Sequence, residues 1–203
     1  MPRNKKFKLL FWLLFLIVVL ISFFGVLWTY KSSTGTTTLS IGQKVDSLNG
    51  VYVYYNGATH NVSGRNKTKD GYNLGLKYQC VEFVKRYYYE HLNHKMPDSY
   101  GHAKDFFDKT LGDGSWNNRR ALRQYTNPSN KKPKVNDLLV FSGTKSNAYG
   151  HVAVISMVTD HEVEIIQQNP GPNGNSRGRF ELEKNGSEWK IKNDRILGWL
   201  RKE

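Results

Sequence analysis

The sequence predicts an α+β domain with an antiparallel sheet behind one membrane-spanning helix, and three stretches predict it. An uncharged apolar run fills residues 9–30, an amphipathic helix begins at Cys80, and residues 150–158 and 162–169 read as two strands of a hairpin. At 203 residues the chain has room for one medium domain beside the apolar run.

The apolar run comes first in the chain. Its 22 positions contain no charged residue, and at about 1.5 Å per helical residue they reach roughly 33 Å, the thickness of a bilayer core. Trp12 lies near one end and Trp28 with Tyr30 at the other, where amphipathic rings favour the headgroup level. Arg3, Lys5, Lys6 and Lys8 precede the run and only Lys31 closely follows it, so the positive-inside rule keeps the N-terminus cytoplasmic. The expectation is a single-pass protein of the cell membrane whose domain is extracytoplasmic. A cleaved signal peptide would also export the domain, but Leu27-Trp28-Thr29-Tyr30 does not resemble a small-residue cleavage site. Residues 1–31 thus form the basic flank and transmembrane helix. Residues 32–40, led by Ser32-Ser33-Thr34-Gly35-Thr36-Thr37-Thr38, form a polar linker, and residues 41–203 form the domain.

Five basic and no acidic residues occur up to Lys31, which leaves 25 basic against 17 acidic beyond it, a balance of about +8. Such a surface suits an anionic partner such as a cell-wall polymer, and equally a solvated surface kept for solubility. Arg119, Arg120, Arg123, Lys131, Lys132 and Lys134 lie near Pro128 and Pro133 and read as a loop-rich basic flank. Without interleaved aromatic stacking platforms, no nucleic-acid partner is expected.

The chain has one cysteine, so an exported domain cannot use it for an internal disulfide. Cys80 follows Gly75-Leu76-Lys77-Tyr78-Gln79 and opens a run in which Phe83, Val84, Tyr87, Tyr88 and Leu92 recur at helical spacing. Glu82, Lys85, Arg86 and Glu90 take the opposite face. In the first turn of a helix, free backbone N–H groups and the positive dipole end favour a thiolate, which marks Cys80 as a candidate nucleophile. The Cys80 N–H and the Gln79 side-chain amide are candidate oxyanion donors.

A thiolate needs a proton-handling partner, and His151 has the position for it. Gly150-His151-Val152-Ala153-Val154-Ile155-Ser156-Met157-Val158 reads as a strand, Thr159-Asp160-His161 as a turn, and Glu162 to Asn169 as the returning strand. With the turn centred there, residues 167–169 lie across from His151. Gln167 and Asn169 then share one face and Gln168 takes the other, so either of the first two amides can orient the imidazole.

These residues carry a family resemblance. Tyr78-Gln79-Cys80-Val81-Glu82-Phe83-Val84-Lys85-Arg86, Val135-Asn136-Asp137-Leu138-Leu139-Val140-Phe141, Gly150-His151-Val152-Ala153-Val154-Ile155 and Gln167-Gln168-Asn169 together resemble a CHAP domain, over most of residues 41–203. Within that family the Gln-Cys-Val-Glu-Phe start and the His151-to-Gln167 interval are especially similar to the amidase half of glutathionylspermidine synthetase/amidase. The resemblance implies a papain-like α+β scaffold and a cysteine- and histidine-dependent amidohydrolase or peptidase, mostly of peptidoglycan. It implies Cys80 as nucleophile, His151 as base, Gln79 as oxyanion contributor and Asp137 as part of a turn before a central strand. The family often has Glu-Gln-Asn where this chain has Gln167-Gln168-Asn169. A glutamine can fix the imidazole tautomer as the asparagine of papain-like enzymes does, but it brings no charge.

No metal or other cofactor is expected. His91 and His94 are three apart but lack a third ligand, and they read as cations compensating the helix C-terminus. His102 reads as a surface or capping residue before a helix carrying Ala103, Phe106 and Phe107. Tyr52, Tyr54, Tyr55, Tyr72 and Tyr78 are expected in part to line a substrate groove, and the Pro170–Asn175 segment to shape its entrance. Three functions stay open: an amidase or endopeptidase of peptidoglycan peptides, an amidase of a glutathione–polyamine amide, and a non-catalytic scaffold on the cell wall.

Overall fold

The computed structural model describes residues 3–33, 39–171 and 174–203. The chain divides into two compact units, Met1–Thr38 and Leu39–Glu203.

In the first unit one helix, α1, runs over Arg3–Ser33. Its Lys8–Gly25 stretch is long and apolar enough to cross a membrane, and none of it is buried within the protein. An apolar surface on every face of a helix calls for lipid or a protein core as its cover. The helix extends through Ser32 and Ser33, where the linker was expected to begin, because nothing in those two residues forbids helical backbone. Residues 34–38 of that linker lie outside the described residues, as do the side chains of Arg3, Lys5, Lys6, Trp28, Tyr30 and Lys31.

The second unit opens with two hairpins, β1 (Lys44–Leu48) with β2 (Val51–Tyr54) and β3 (Arg65–Lys67) with β4 (Asn73–Leu76). Helix α2 (Cys80–Glu90) and a 3₁₀ turn at Ala103–Phe106 follow. Eight strands then build one sheet: β5 (Ser115–Asn117), β6 (Leu122–Thr126), β7 (Leu138–Phe141), β8 (His151–Val158), β9 (Glu162–Ile166), β10 (Arg177–Asn185), β11 (Glu188–Ile191) and β12 (Ile196–Arg201). Their order is β11-β10-β9-β8-β7-β12-β6-β5, with every neighbouring pair antiparallel.

The middle of the sheet is buried on both faces, which is why β7 and the first half of β8 read as continuous apolar runs rather than alternating ones. One face, through Leu138, Val140, Val152 and Val154, receives Phe83, Val84, Tyr87 and Tyr88 of α2. The other packs Leu139, Ala153 and Ile155 around Trp199. Asp137 enters β7 as expected of a structural turn: its carboxylate accepts from the Lys134 N–H at 2.7 Å and pairs with Arg201 at 2.7 Å.

The polar side of α2 departs from the expectation of an opposite, solvated face. Glu82 and Lys85 are each 1% exposed and Arg86 5%, and only Glu90 is open. The reason is tertiary: β2 and β4 pack over this side as well. Gly75, at φ +134°, permits the approach, since a Cβ there would sit 3.1 Å from the Glu82 backbone. Buried charge survives only if paired. Glu82 Oε1 accepts from Arg86 Nε and Asn66 Nδ2, both at 2.7 Å, and Glu82 Oε2 accepts from Gln168 Nε2 at 2.9 Å.

Two other readings are corrected. Arg120 of the expected basic flank is fully buried and donates to the backbone carbonyls of Asp98, Tyr100 and Asp105, while Arg123 lies in strand β6 rather than a loop. His94 is not a cation at the helix end. It lies past the end of α2, its Nε2 is 2.8 Å from the Arg120 carbonyl oxygen, and burial holds its pKa below the ordinary imidazole value.

Candidate active site

Cys80 is the first residue of α2 and His151 the first residue of β8, and α2 packs on β8, so a helix start and a strand start bring the two together from 71 positions apart. Both line one cavity of about 580 Å³. Gly150, at φ +78°, aims the strand: a Cβ there would lie 2.6 Å from the Phe141 carbonyl oxygen. The His151 ring is held against Phe141, centroids 5.8 Å apart.

The orienting amide is Gln167. Its Oε1 accepts from His151 Nε2 at 2.9 Å, which leaves Nδ1 as the nitrogen free to handle the thiol proton. The other end of the same amide is also fixed, since Gln167 Nε2 donates to the Asn175 carbonyl at 2.9 Å. Oxygen and nitrogen are therefore assigned by two different partners. Residues 172 and 173 of the expected entrance loop lie outside the described residues; Asn175, at its end, acts by holding Gln167.

Asn169, the other expected orienter, does not reach His151. Strand β9 ends at Ile166 and Asn169 takes a left-handed φ of 54°, which breaks the alternation that would have kept Asn169 and Gln167 on one face. Its Nδ2 donates to Gln79 Oε1 at 2.7 Å and to the Thr59 carbonyl at 2.8 Å. Gln79 in turn donates from Nε2 to the carbonyls of Thr59 at 3.2 Å and Asn61 at 2.8 Å. The Gln79 side chain is thus a brace of the 56–61 loop, with its donors turned away from the expected oxyanion role. The donors left at the sulfur are backbone N–H groups, those of Cys80 and Val81 at the helix start and that of Val152 on β8.

The electrostatics also depart from the expectation of a ready thiolate. Burial pushes the Cys80 thiol above its ordinary value, against the opposing backbone N–H groups of Val152, Val81 and Cys80 itself. Burial likewise pulls His151 down to about 4, with Gln167 resisting and Arg195 adding to the shift. At neutral pH the resting pair is a thiol and a neutral imidazole, because the field at the helix start is outweighed by desolvation and, among the described residues, no Asp or Glu lines the cavity to hold an imidazolium.

The sequence reading expected some of Tyr52, Tyr54, Tyr55, Tyr72 and Tyr78 to line the groove and the rest to serve packing, and none of them lines this cavity. Tyr54 packs on Tyr78 and under Arg86, and Tyr72 stacks on Tyr89, so all four rings serve packing. The tyrosines that do line it are Tyr100 and Tyr149, with His102 against Tyr149 at 4.6 Å between centroids. His102 also opens the 3₁₀ turn, its N–H donating to Asp105 Oδ2 at 2.9 Å, as the capping expectation had it. Tyr100, Tyr149 and Arg65 sit on loops or a three-residue strand with no periodicity to mark them.

Gln167→Ala is expected to lose roughly 10- to 100-fold in rate, about 1.4 to 2.7 kcal/mol of barrier. Asn169→Ala should act through the Gln79 brace and leave the His151 pKa in place. Gln167→Glu should raise that pKa and move the acid limb of kcat/KM upward from about 4, although the new carboxylate meets the Asn175 carbonyl. An NMR titration of His151 checks all three; a His151 pKa unmoved in both Gln167 variants but shifted in Asn169→Ala would transfer the role.

The chain aligns with the crystal structure of Ly7917 over 61% of its length and 53% of that chain, at 14% identity and a TM-score of 0.34. It is 31% identical over 116 residues to trypanothione synthetase of Crithidia fasciculata, an alignment covering 57% of this chain. That is 18% of the relative's length, so the chain matches less than a fifth of it. The family model for the CHAP domain matches residues 69–169, a span that begins before α2 and ends at Asn169, enclosing Cys80, His151 and Gln167. Residues 69–169 thus form a CHAP domain, which implies a hydrolase of amide bonds.

Proposed function

We propose that this chain is a membrane-anchored cysteine amidohydrolase that cleaves peptide amide bonds of peptidoglycan on the extracytoplasmic side of the cell membrane. The observation that carries the reading is the single cavity shared by Cys80 and by a His151 whose Nε2 is held by Gln167. From the neutral resting pair, His151 Nδ1 takes the thiol proton as Sγ attacks the amide carbonyl, with backbone N–H groups at the start of α2 facing the developing oxyanion. The imidazolium then gives that proton to the departing amine, leaving a thioester on Cys80. Water, deprotonated by the same nitrogen, adds to the thioester and releases the acid and the thiol. The anchor reading rests on the apolar Lys8–Gly25 stretch and the cations before it.

The test is the full-length chain in detergent with defined peptidoglycan fragments. Products should appear as a new amine and a new carboxylate with a mass gain of one water, unaffected by chelator, and a C-terminal tag should be accessible on intact cells. A tag found only in the cytoplasm overturns the topology, and fragments left intact overturn the substrate. The likeness to trypanothione synthetase favours a second reading, hydrolysis of a glutathione–polyamine amide; the same assay with that substrate decides between them.

A further inference from the structure

The walls of the active-site cavity carry a one-sided charge. Among the described residues that line it there is no aspartate or glutamate, and the one Lys or Arg is Arg65 of β3. Arg65 has no carboxylate partner among the described residues, yet it is not a loose surface cation. Its Nη1 donates to Asn73 Oδ1 at 3.0 Å, and its guanidinium lies 5.8 Å from the ring centre of Tyr100. Asn73 is itself 5% exposed and is fixed from behind, its Nδ2 donating to the Ser99 carbonyl at 2.9 Å. A buried amide therefore holds one nitrogen of an otherwise exposed fork and leaves Nε and Nη2 without a partner among the described residues.

What lies under this wall strengthens the bias. Lys85 is buried, with its ammonium on the carbonyls of Asn73 and Ser99, and Arg120 is buried on the carbonyls of Asp98 and Tyr100. Asp98, whose carboxylate acts on both, is engaged by Arg119 at 2.9 and 2.7 Å. Lys85, Arg119 and Arg120 thus converge on the segment from Asp98 to Tyr100, where Asp98 is already paired and Asp105 is the other acid acting on Arg120. Burial first, then repulsion by Arg120 on Lys85 and by Arg119 on Arg120, lowers the pKa of Lys85 to about 8 and of Arg120 to about 10 against the attraction of Asp98. A planar fork held along one edge suits a carboxylate, which accepts two parallel hydrogen bonds from it.

We propose that Arg65 is a specificity residue of this site, reading a free carboxylate on the peptide that flanks the scissile amide, with Asn73 and Tyr100 holding its guanidinium. The inference rests on the amide-hydrolase reading and narrows it: the favoured substrates are acidic peptides, and the same peptides with that carboxylate capped as a carboxamide are discriminated against.

The test separates binding from chemistry. Full-length Cys80→Ala protein in detergent is titrated calorimetrically with two γ-glutamyl peptide amides that differ only in a free α-carboxylate or an α-carboxamide. The carboxylate peptide should bind about tenfold or more tightly, the scale of a charge-assisted pair. The ratio should shrink with added salt, collapse towards unity in Arg65→Gln, and be partly kept in Arg65→Lys. Equal affinities, an unchanged ratio in Arg65→Gln, or no binding of either peptide would each overturn the proposal. With Cys80 intact the same pair is assayed for hydrolysis. Equal cleavage of both removes the role of Arg65 and leaves the hydrolase, whereas discrimination in binding with no cleavage leaves Arg65 and removes the hydrolase.

Discussion

Cys80→Ala is expected to lose at least about 10⁴-fold in kcat, roughly 5.5 kcal/mol of barrier, because no thioester can form without the sulfur. The substitution removes one partly buried atom from the start of α2 and should leave the protein folded. How Cys80 reacts in the wild-type chain is the sharper result. A preformed thiolate–imidazolium pair alkylates at a rate nearly flat from pH 5 to 8. Here burial raises the thiol and lowers His151 to about 4, so iodoacetamide labelling should be slow near pH 6 and climb by roughly tenfold per pH unit below the thiol pKa. A flat profile would sink the neutral resting pair, and full hydrolase activity in Cys80→Ala would sink the mechanism. The same His151 shift enters stability. A folded-state value below the unfolded 6.5 means that the fold favours the neutral ring, so stability is fully present above about pH 6.5 and declines as pH falls towards 4.

What the chain shows without its structure follows the reach of each signal. Helix α2 was legible from Phe83, Val84, Tyr87 and Tyr88, and the β8–β9 hairpin from its apolar runs and the Thr159–His161 turn, because both signals are local. The register was nearly so: pairs such as Val154 with Ile166 lie within the expected range, and the slip between Ile155 and Met157 adds one residue nearer the turn. The lone cysteine at a helix start and the histidine at a strand start then marked the site. What stayed hidden needs long-range contacts. Nothing in the spacing of Glu82, Lys85 and Arg86 says that two hairpins cover them. Nothing near Asn169 says that its backbone turns left-handed and hands its amide to Gln79. Helix position pointed to a thiolate, but the sign of the Cys80 shift depends on how deeply the fold buries it, and burial is not a local property.

The buried polar side of α2 sets the second large expectation. Glu82 collects Arg86, Asn66 and Gln168, and Gln168 completes the network by donating to the Gln79 carbonyl at 3.1 Å and accepting from the Tyr54 N–H at 2.8 Å. The carboxylate thereby ties the first turn of the helix to β2, β3 and the segment after β9. Glu82→Ala leaves Arg86 buried and unpaired, which costs about 3–5 kcal/mol and should lower the melting temperature by roughly 6–20 °C in a protein of this size. The cost lies in the orphaned guanidinium more than in the lost attraction, so Glu82→Leu combined with Arg86→Met should recover much of the stability. Activity should not recover with it. Without the carboxylate, Gln168 loses the partner that aims its amide at the Gln79 carbonyl, and Cys80 sits one residue further on. Thermal unfolding and Cys80 alkylation in the single and double variants separate the two effects. A loss below about 1 kcal/mol in Glu82→Ala would show that the network contributes no more than a surface ion pair, and restored alkylation in the double variant would show that the helix start is positioned by apolar packing alone.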